Sequence, residues 1–171
     1  QVIDPNDFRE LIEGARTYRR YSGEPVSEDV LRELVDAARL SPCGNNMQLL
    51  RFRVVSADDA DAAQTVFTHL HWDGALKDWD GPEPGERPGG YIVVCLPEKL
   101  AANPIRLIDT GIASQSIVLA AATRGLGACM HKSYDASLAD DLGLAESGYA
   151  GSMVIALGPR AVKVVLEPAT T

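Results

Sequence analysis

The sequence predicts one three-layer domain, α/β or α+β, with helices packed on a small central sheet. Three observations predict it. Stretches with apolar residues at helical spacing alternate with short strand-like runs, in the order α, α, β, α, β, α, β, α, β. One run, Tyr91-Ile92-Val93-Val94-Cys95-Leu96, is continuously apolar, as a strand buried on both faces would be. The chain has 171 residues, enough for one real core, and its 46% apolar and 23% charged residues are ordinary for a globular domain.

Asp4 and Pro5 begin the first helix as N-cap and first helical residue, with Phe8, Leu11, Ile12 and Ala15 as its apolar face and an end near Arg16. Ser27 caps the second, Glu28 and Asp29 face its positive end, and Leu31, Leu34, Val35 and Ala38 form its stripe. A strand over about 52–56 follows. A helix over 58–70 turns Ala63, Val66, Phe67 and Leu70 inward. Residues 71–90 hold Trp72, Trp79, three prolines and five glycines without a period, so they form a long loop of the kind that carries function. The strand at 91–96 comes next. The helix over 105–123 is apolar almost all round, which predicts burial, and Gly125 ends it. Ala128-Cys129-Met130 is a short strand, Ser137 to Leu142 a short helix, and Ser152 to Leu157 the last strand.

Composition removes several functions. A net charge of −8 is wrong for a general nucleic-acid binder, which needs a basic face. No apolar run reaches the ~18 residues of a membrane helix, and no signal core opens the chain. Cys43, Cys95 and Cys129 are odd in number and form no CxxC pair, which fits a reducing, cytoplasmic setting better than disulfides or zinc. His69 and His71 would point to different sides of a helix, so no metal site is expected.

Three segments carry candidate chemistry. Arg16-Thr17-Tyr18-Arg19-Arg20-Tyr21 places three guanidiniums within five residues of an acidic chain. Arginine's fork suits phosphate. It equally suits a helix C-terminus, where cations complement the dipole. Ser41-Pro42-Cys43-Gly44-Asn45-Asn46-Met47-Gln48 is longer and more polar than a helix-to-strand joint needs. The amides of Asn46 and Gln48 fit the edge of a heterocycle, or an Asx-type loop that satisfies its own backbone. Gly125-Leu126-Gly127 precedes Ala128-Cys129-Met130-His131-Lys132-Ser133. Its glycines allow close backbone approach, although the spacing is not that of a dinucleotide fingerprint.

Taken together, in this order and at these distances, the three segments resemble the nitroreductase family of FMN-dependent flavoproteins. Arg16 to Tyr21 is similar to its Arg-Ser-x-Arg-x-Phe pattern. Ser41 to Gln48 is similar to its Ala/Ser-Pro-Ser-x-x-Asn-x-Gln-Pro-Trp pattern, and Arg124 to Gly127 to its Gly-Leu-Gly turn. Met153 to Pro159 resembles its closing strand, and Trp72 to Pro88 the loop of a short-chain subgroup. The departures are Cys43 for serine and Leu49-Leu50 for Pro-Trp.

The resemblance implies an α+β, nitroreductase-like fold that forms a homodimer with FMN in clefts between subunits. Arg16, Thr17 and Arg19 would hold the phosphate and ribityl end. Pro42, Cys43 and Asn46 would come from the other subunit, with Gln48 near. The segment Met130 to Ser133, with His131 and Lys132, would face the isoalloxazine, the Ser133 N–H near flavin N5; Gly127 would also belong to the cofactor site, and Lys77 would face the N1/O2 edge. Arg160 and Lys163 are the basic residues nearest the place of a C-terminal phosphate contact common in the family. The implied activity passes electrons from NAD(P)H to a nitroaromatic or quinone by a ping-pong route, under the loop at 71–90. Reductive dehalogenation on the same fold, or flavin binding without turnover, are the alternatives.

Overall fold

The computed structural model describes residues 2–73 and 78–168. Its helices are α1 (Pro5–Gly14), α2 (Glu28–Arg39), α3 (Ala60–His69), α4 (Pro104–Ala122) and α5 (Leu138–Asp141). Its strands are β1 (Arg51–Ser56), β2 (Gly90–Pro97), β3 (Leu126–His131) and β4 (Tyr149–Pro159). Two caps are where the sequence puts them: Asp4 accepts from the Asn6 N–H and Ser27 from the Val30 N–H. A third, not read from the sequence, is Asn103, which accepts from the N–H groups of Ile105 and Arg106.

The strands pair antiparallel throughout in the order β1-β2-β4-β3, which makes the fold α+β. Side-chain alternation divides the core into two layers. Ile92, Val94, Ile155 and Leu157 face α2 and α4, meeting Leu31, Leu34 and Ile117. Tyr91, Val93, Cys95 and Val154 face the other way, toward Val66 of α3, Leu138 of α5 and Trp72. β2 lies inside the sheet and is buried on both faces, as its unbroken apolar run predicts. Each fully buried Leu or Ile side chain here contributes roughly 1.5–3 kcal/mol.

Two departures from the sequence reading bear on the site. α1 ends at Gly14 and buries no residue, leaving Phe8 49% and Ile12 42% exposed. α4 is not buried all round: Ile105 and Ile108, in its first turns, are 50% and 62% exposed. α4 also corrects the expectation about membrane-length segments, since by length and hydropathy alone it is long and apolar enough to cross one. Its buried side, however, packs on α2 and the sheet and includes Arg106, Asp109, Thr110 and Ser114.

The pairing of β2 with β4 slips by one residue after Val94. Val94 faces Met153 and Cys95 faces Gly151, so Ser152 is the extra residue of a bulge. Beyond α1, the chain runs along the free edge of β3. Thr17 bridges Ala128 in parallel, and the Tyr18 N–H donates to the Ala128 carbonyl at 2.9 Å. Gly127 is needed there, because a Cβ would lie 2.6 Å from the Tyr18 ring.

Candidate functional site

The arginine segment is displayed by that edge. Tyr18 is buried and anchors it, while Arg16 and Thr17 on its near side are exposed. Among the described residues neither the Arg16 guanidinium nor the Thr17 hydroxyl has a hydrogen-bond or ion-pair partner. Arg19 is different: its Nε lies 3.2 Å from Asp73 Oδ2, an ion pair by distance whose N–H is not aimed as a hydrogen bond requires. Arg160 stacks its guanidinium 4.8 Å from the Tyr18 ring centre and donates to the Leu126 carbonyl. Lys163 is exposed. The outer edge of β3 therefore carries an exposed polar pair with further cations beside it.

The Ser41–Gln48 segment is a built turn. Asn45, Asn46 and Gln48 all have positive φ, at 55°, 52° and 50°, a region that non-glycine residues adopt only when the surroundings enforce it. The enforcing groups lie on α4. The Gly44 N–H donates to Asp109 Oδ1 at 2.7 Å, and both terminal nitrogens of Arg106 donate to the Gly44 carbonyl at 3.2 Å. Arg106 and Asp109 pair with each other at 3.0 Å, each with only 5% of its side chain exposed. A Cβ on Gly44 would lie 2.5 Å from Ile105 and 2.8 Å from Arg106. Above this floor the Gln48 N–H donates to Cys43 Sγ at 3.3 Å, and Gln48 Nε2 donates to Asn46 Oδ1 at 3.0 Å. A cleft of about 280 Å³ opens beside the turn, lined by Ser41, Pro42, Cys43, Gln48, Phe52 and Ala113.

At the end of β3 the side chains alternate. Met130 is exposed and Lys132 reaches back to donate from Nζ to the carbonyl of the bulged Ser152 at 2.9 Å. The Ser152 hydroxyl in turn bonds Thr110 on α4 at 2.9 Å. His131 points the other way and is 4% exposed, edge-on to Trp72 at 4.8 Å. Burial first, and the Arg19 charge second, lower its pKa to about 4, so it is neutral near pH 7. Its side chain is thus core, and only its backbone can face a ligand. Trp72 is core as well, 5% exposed between Phe67 and Trp79. Cys95 and Cys129 are buried thiols whose pKa burial pushes up to about 11, which makes them poor nucleophiles.

The candidate residues therefore fall into two groups. Arg16, Thr17, Arg19, Gly127, His131, Lys132 and Ser133 share the β3 edge and its end. Pro42, Cys43, Asn46 and Gln48 precede β1, at the opposite edge of the sheet. Among the described residues no hydrogen bond or ion pair joins the two groups directly; α4 lies between them, its Asp109 on Gly44 and its Thr110 on Ser152, which Lys132 also bonds. Lys77 lies outside the described residues.

The Nitroreductase family model matches residues 12–158. The chain belongs to the nitroreductase family. A Bacillus subtilis (strain 168) relative, YdgI, whose name proposes an NAD(P)H nitroreductase, is 25% identical over 94% of this chain and 91% of its own. A Desulfovibrio desulfuricans protein solved in complex with FMN is similar at 26% identity and a TM-score of 0.75, covering 98% of this chain and 94% of that one. The nitroreductase family protein of Streptococcus pneumoniae TIGR4 shares the fold at 18% identity, with a TM-score of 0.73 over 96% and 94% of the two chains. The sheet and helices of this chain agree with the fold of these nitroreductase family proteins.

Sequence reading missed Arg106, Asp109, Thr110 and Ser152. A signal for the first two was present: an Arg and an Asp three apart on an otherwise apolar helix can be buried only as a pair. Nothing local marks Ser152, whose role comes from a bulge in its pairing.

Proposed function

We propose that the chain is an FMN-dependent oxidoreductase that carries electrons from NAD(P)H to a nitroaromatic, quinone or similar small acceptor by a ping-pong route, acting as a homodimer. The observation that carries this reading is the exposed Arg16–Thr17 pair, without partners among the described residues, held on the β3 edge of an acidic chain. A forked cation beside a hydroxyl fits a phosphate, and Arg160 on Tyr18 adds charge nearby. When bound, FMN supplies the two-electron chemistry.

This chain's residues then bind and orient. Arg16 and Thr17, with Arg19, hold the phosphate end. Gly127 lets the backbone approach, the His131 backbone, Lys132 and Ser133 border the ring, and Pro42, Cys43, Asn46 and Gln48 of a second copy complete the wall. The separation of the two groups supports a shared site between copies. So does the exposed apolar surface of Phe8 and Ile12 on α1 with Ile105 and Ile108 on α4, which in a lone chain would face water. The loop at 71–90 covers the acceptor side, and the setting is cytoplasmic.

The test is an absorption spectrum of the purified protein after incubation with FMN, followed by anaerobic titration with NADH and NADPH. Flavin absorbance that bleaches with either nucleotide and returns on adding a quinone is expected. Bound flavin that neither nucleotide bleaches overturns the reductase reading.

A further inference from the structure

The three histidines of the chain meet at one seam, between the end of α3 and the segment after β3. Leu70 bridges Tyr134, and the Asp135 N–H donates to the His69 carbonyl. His69 Nε2 contacts Asp141 Oδ2 at 2.8 Å and closes the seam at its far end. His71 stands apart from the other two because it is exposed and sits between a hydroxyl and a carboxylate. Its Nδ1 is 3.0 Å from Ser133 Oγ, and its Nε2 is 2.9 Å from Asp135 Oδ1. Its own N–H donates to the Ser133 carbonyl at 3.2 Å, which fixes the imidazole to the residue it serves.

This arrangement sorts the protons. A carboxylate accepts only, so Asp135 holds a proton on Nε2 of the ring. Nδ1 is then the nitrogen that faces Ser133. Side-chain exposures of 57% for His71 and 54% for Asp135 leave the ring open to exchange with solvent. Among the described residues, the Asp73–Arg19 ion pair lies two residues beyond His71 in the chain, and Lys132 next to Ser133 turns its Nζ away to Ser152. His131 beneath it stays neutral.

We propose that Ser133, His71 and Asp135 form a proton relay that delivers to the acceptor the proton its reduction requires. The inference rests on the function proposed above. A quinone becomes a hydroquinone by gaining two electrons and two protons. A hydride equivalent, originating from the pyridine nucleotide, brings both electrons and one proton to the acceptor. The second proton comes through the relay. The Ser133 O–H bond breaks as an acceptor O–H bond forms, Nδ1 of the His71 imidazolium gives its proton to the Ser133 oxygen, and solvent reprotonates Nδ1. Ser133 is the group that touches the acceptor, His71 acts through it, and Asp135 is a positioning residue that sets the tautomer.

Two measurements test the relay. In the protein without cofactor, at a pH where the ring is neutral, imidazole nitrogen NMR is expected to place the proton of His71 on Nε2, and Asp135→Asn to lose that preference. In the FMN-loaded protein reduced by NADH, His71→Gln is expected to slow transfer to 1,4-benzoquinone about 100-fold, the lower end of general-acid effects. It is also expected to flatten the dependence on pH and to change the solvent isotope effect. Asp135→Glu is expected to restore most of what Asp135→Asn loses. A neutral His71 with its proton on Nδ1, or a coloured, NADH-reducible His71→Gln protein with wild-type rate, pH profile and isotope effect, overturns the relay and leaves the proposed function standing. A protein that takes up no FMN overturns both.

Discussion

The Ser41–Gln48 turn and the Arg16–Tyr21 segment look alike in sequence, as polar clusters at the end of a helix, and they are built on opposite principles. The turn stands on a buried ion pair, and its Asn45, Asn46 and Gln48 backbones are held left-handed. The arginine segment is laid on a sheet edge by one buried tyrosine and keeps its Arg16 and Thr17 side chains in water. A wall that must hold a shape against strain needs buried, mutually satisfied groups. A wall that receives an anion needs charges left without protein partners. Substitution in the first should therefore cost stability, and in the second, ligand.

The sharpest way to break this contrast is Arg106→Ala. It leaves the Asp109 carboxylate buried and unpaired and removes both donors to Gly44, for an expected loss of about 3–5 kcal/mol, measured by urea unfolding. A loss below 1 kcal/mol would mean that the turn stands without its floor.

Acid comes next. Because the folded state holds His131 to a pKa of about 4, below its ordinary 6.5, the unfolded chain takes up that proton first as pH falls. The neutral ring's contribution is complete above pH 6.5 and is lost between there and about 4, on the order of 3 kcal/mol in all. His131→Gln should flatten that part of the stability-pH curve. An unaltered slope would remove His131 as its cause.

Gly44→Ala should follow. Its Cβ would meet Ile105 and Arg106, so a loss of about 1–3 kcal/mol is expected by thermal unfolding.

Arg16→Ala should have the least effect on stability, within about 0.5 kcal/mol. Yet it should weaken FMN binding roughly 10- to 100-fold, as one charge-assisted hydrogen bond is worth about 1.5–3 kcal/mol. Calorimetry with FMN decides it. Equal affinity would show that the phosphate is not held there, and a large stability loss would erase the contrast between the walls.

Much of the fold was legible because its signals are local. Asp4 and Ser27 cap helices through atoms two or three residues away, and the apolar run at 91–96 needs only its own length to read as an inner strand. Strand ends were less legible. β3 reaches from Leu126 to His131, and β4 from Tyr149 to Pro159, because pairing partners extend them past the apolar residues that mark them. The candidate site was legible as residue types. It was not legible as contacts: Arg19 meets Asp73, Trp72 covers His131, and His71 joins Ser133 and Asp135 across more than sixty positions.

The sequence by itself determined the element order, the buried central strand, the motifs of the nitroreductase family and the placing of three cations in one short segment. Periodicity, capping and composition act within a few residues, and they survive in any chain with this order of side chains. Only the tertiary structure decided that Arg106 and Asp109 support Gly44, that Ser152 is bulged toward Lys132, and that the two polar segments stand at opposite edges of one sheet. Those facts depend on strand order and register. Both follow from burying two apolar faces of one sheet at once, a condition no short window of sequence contains.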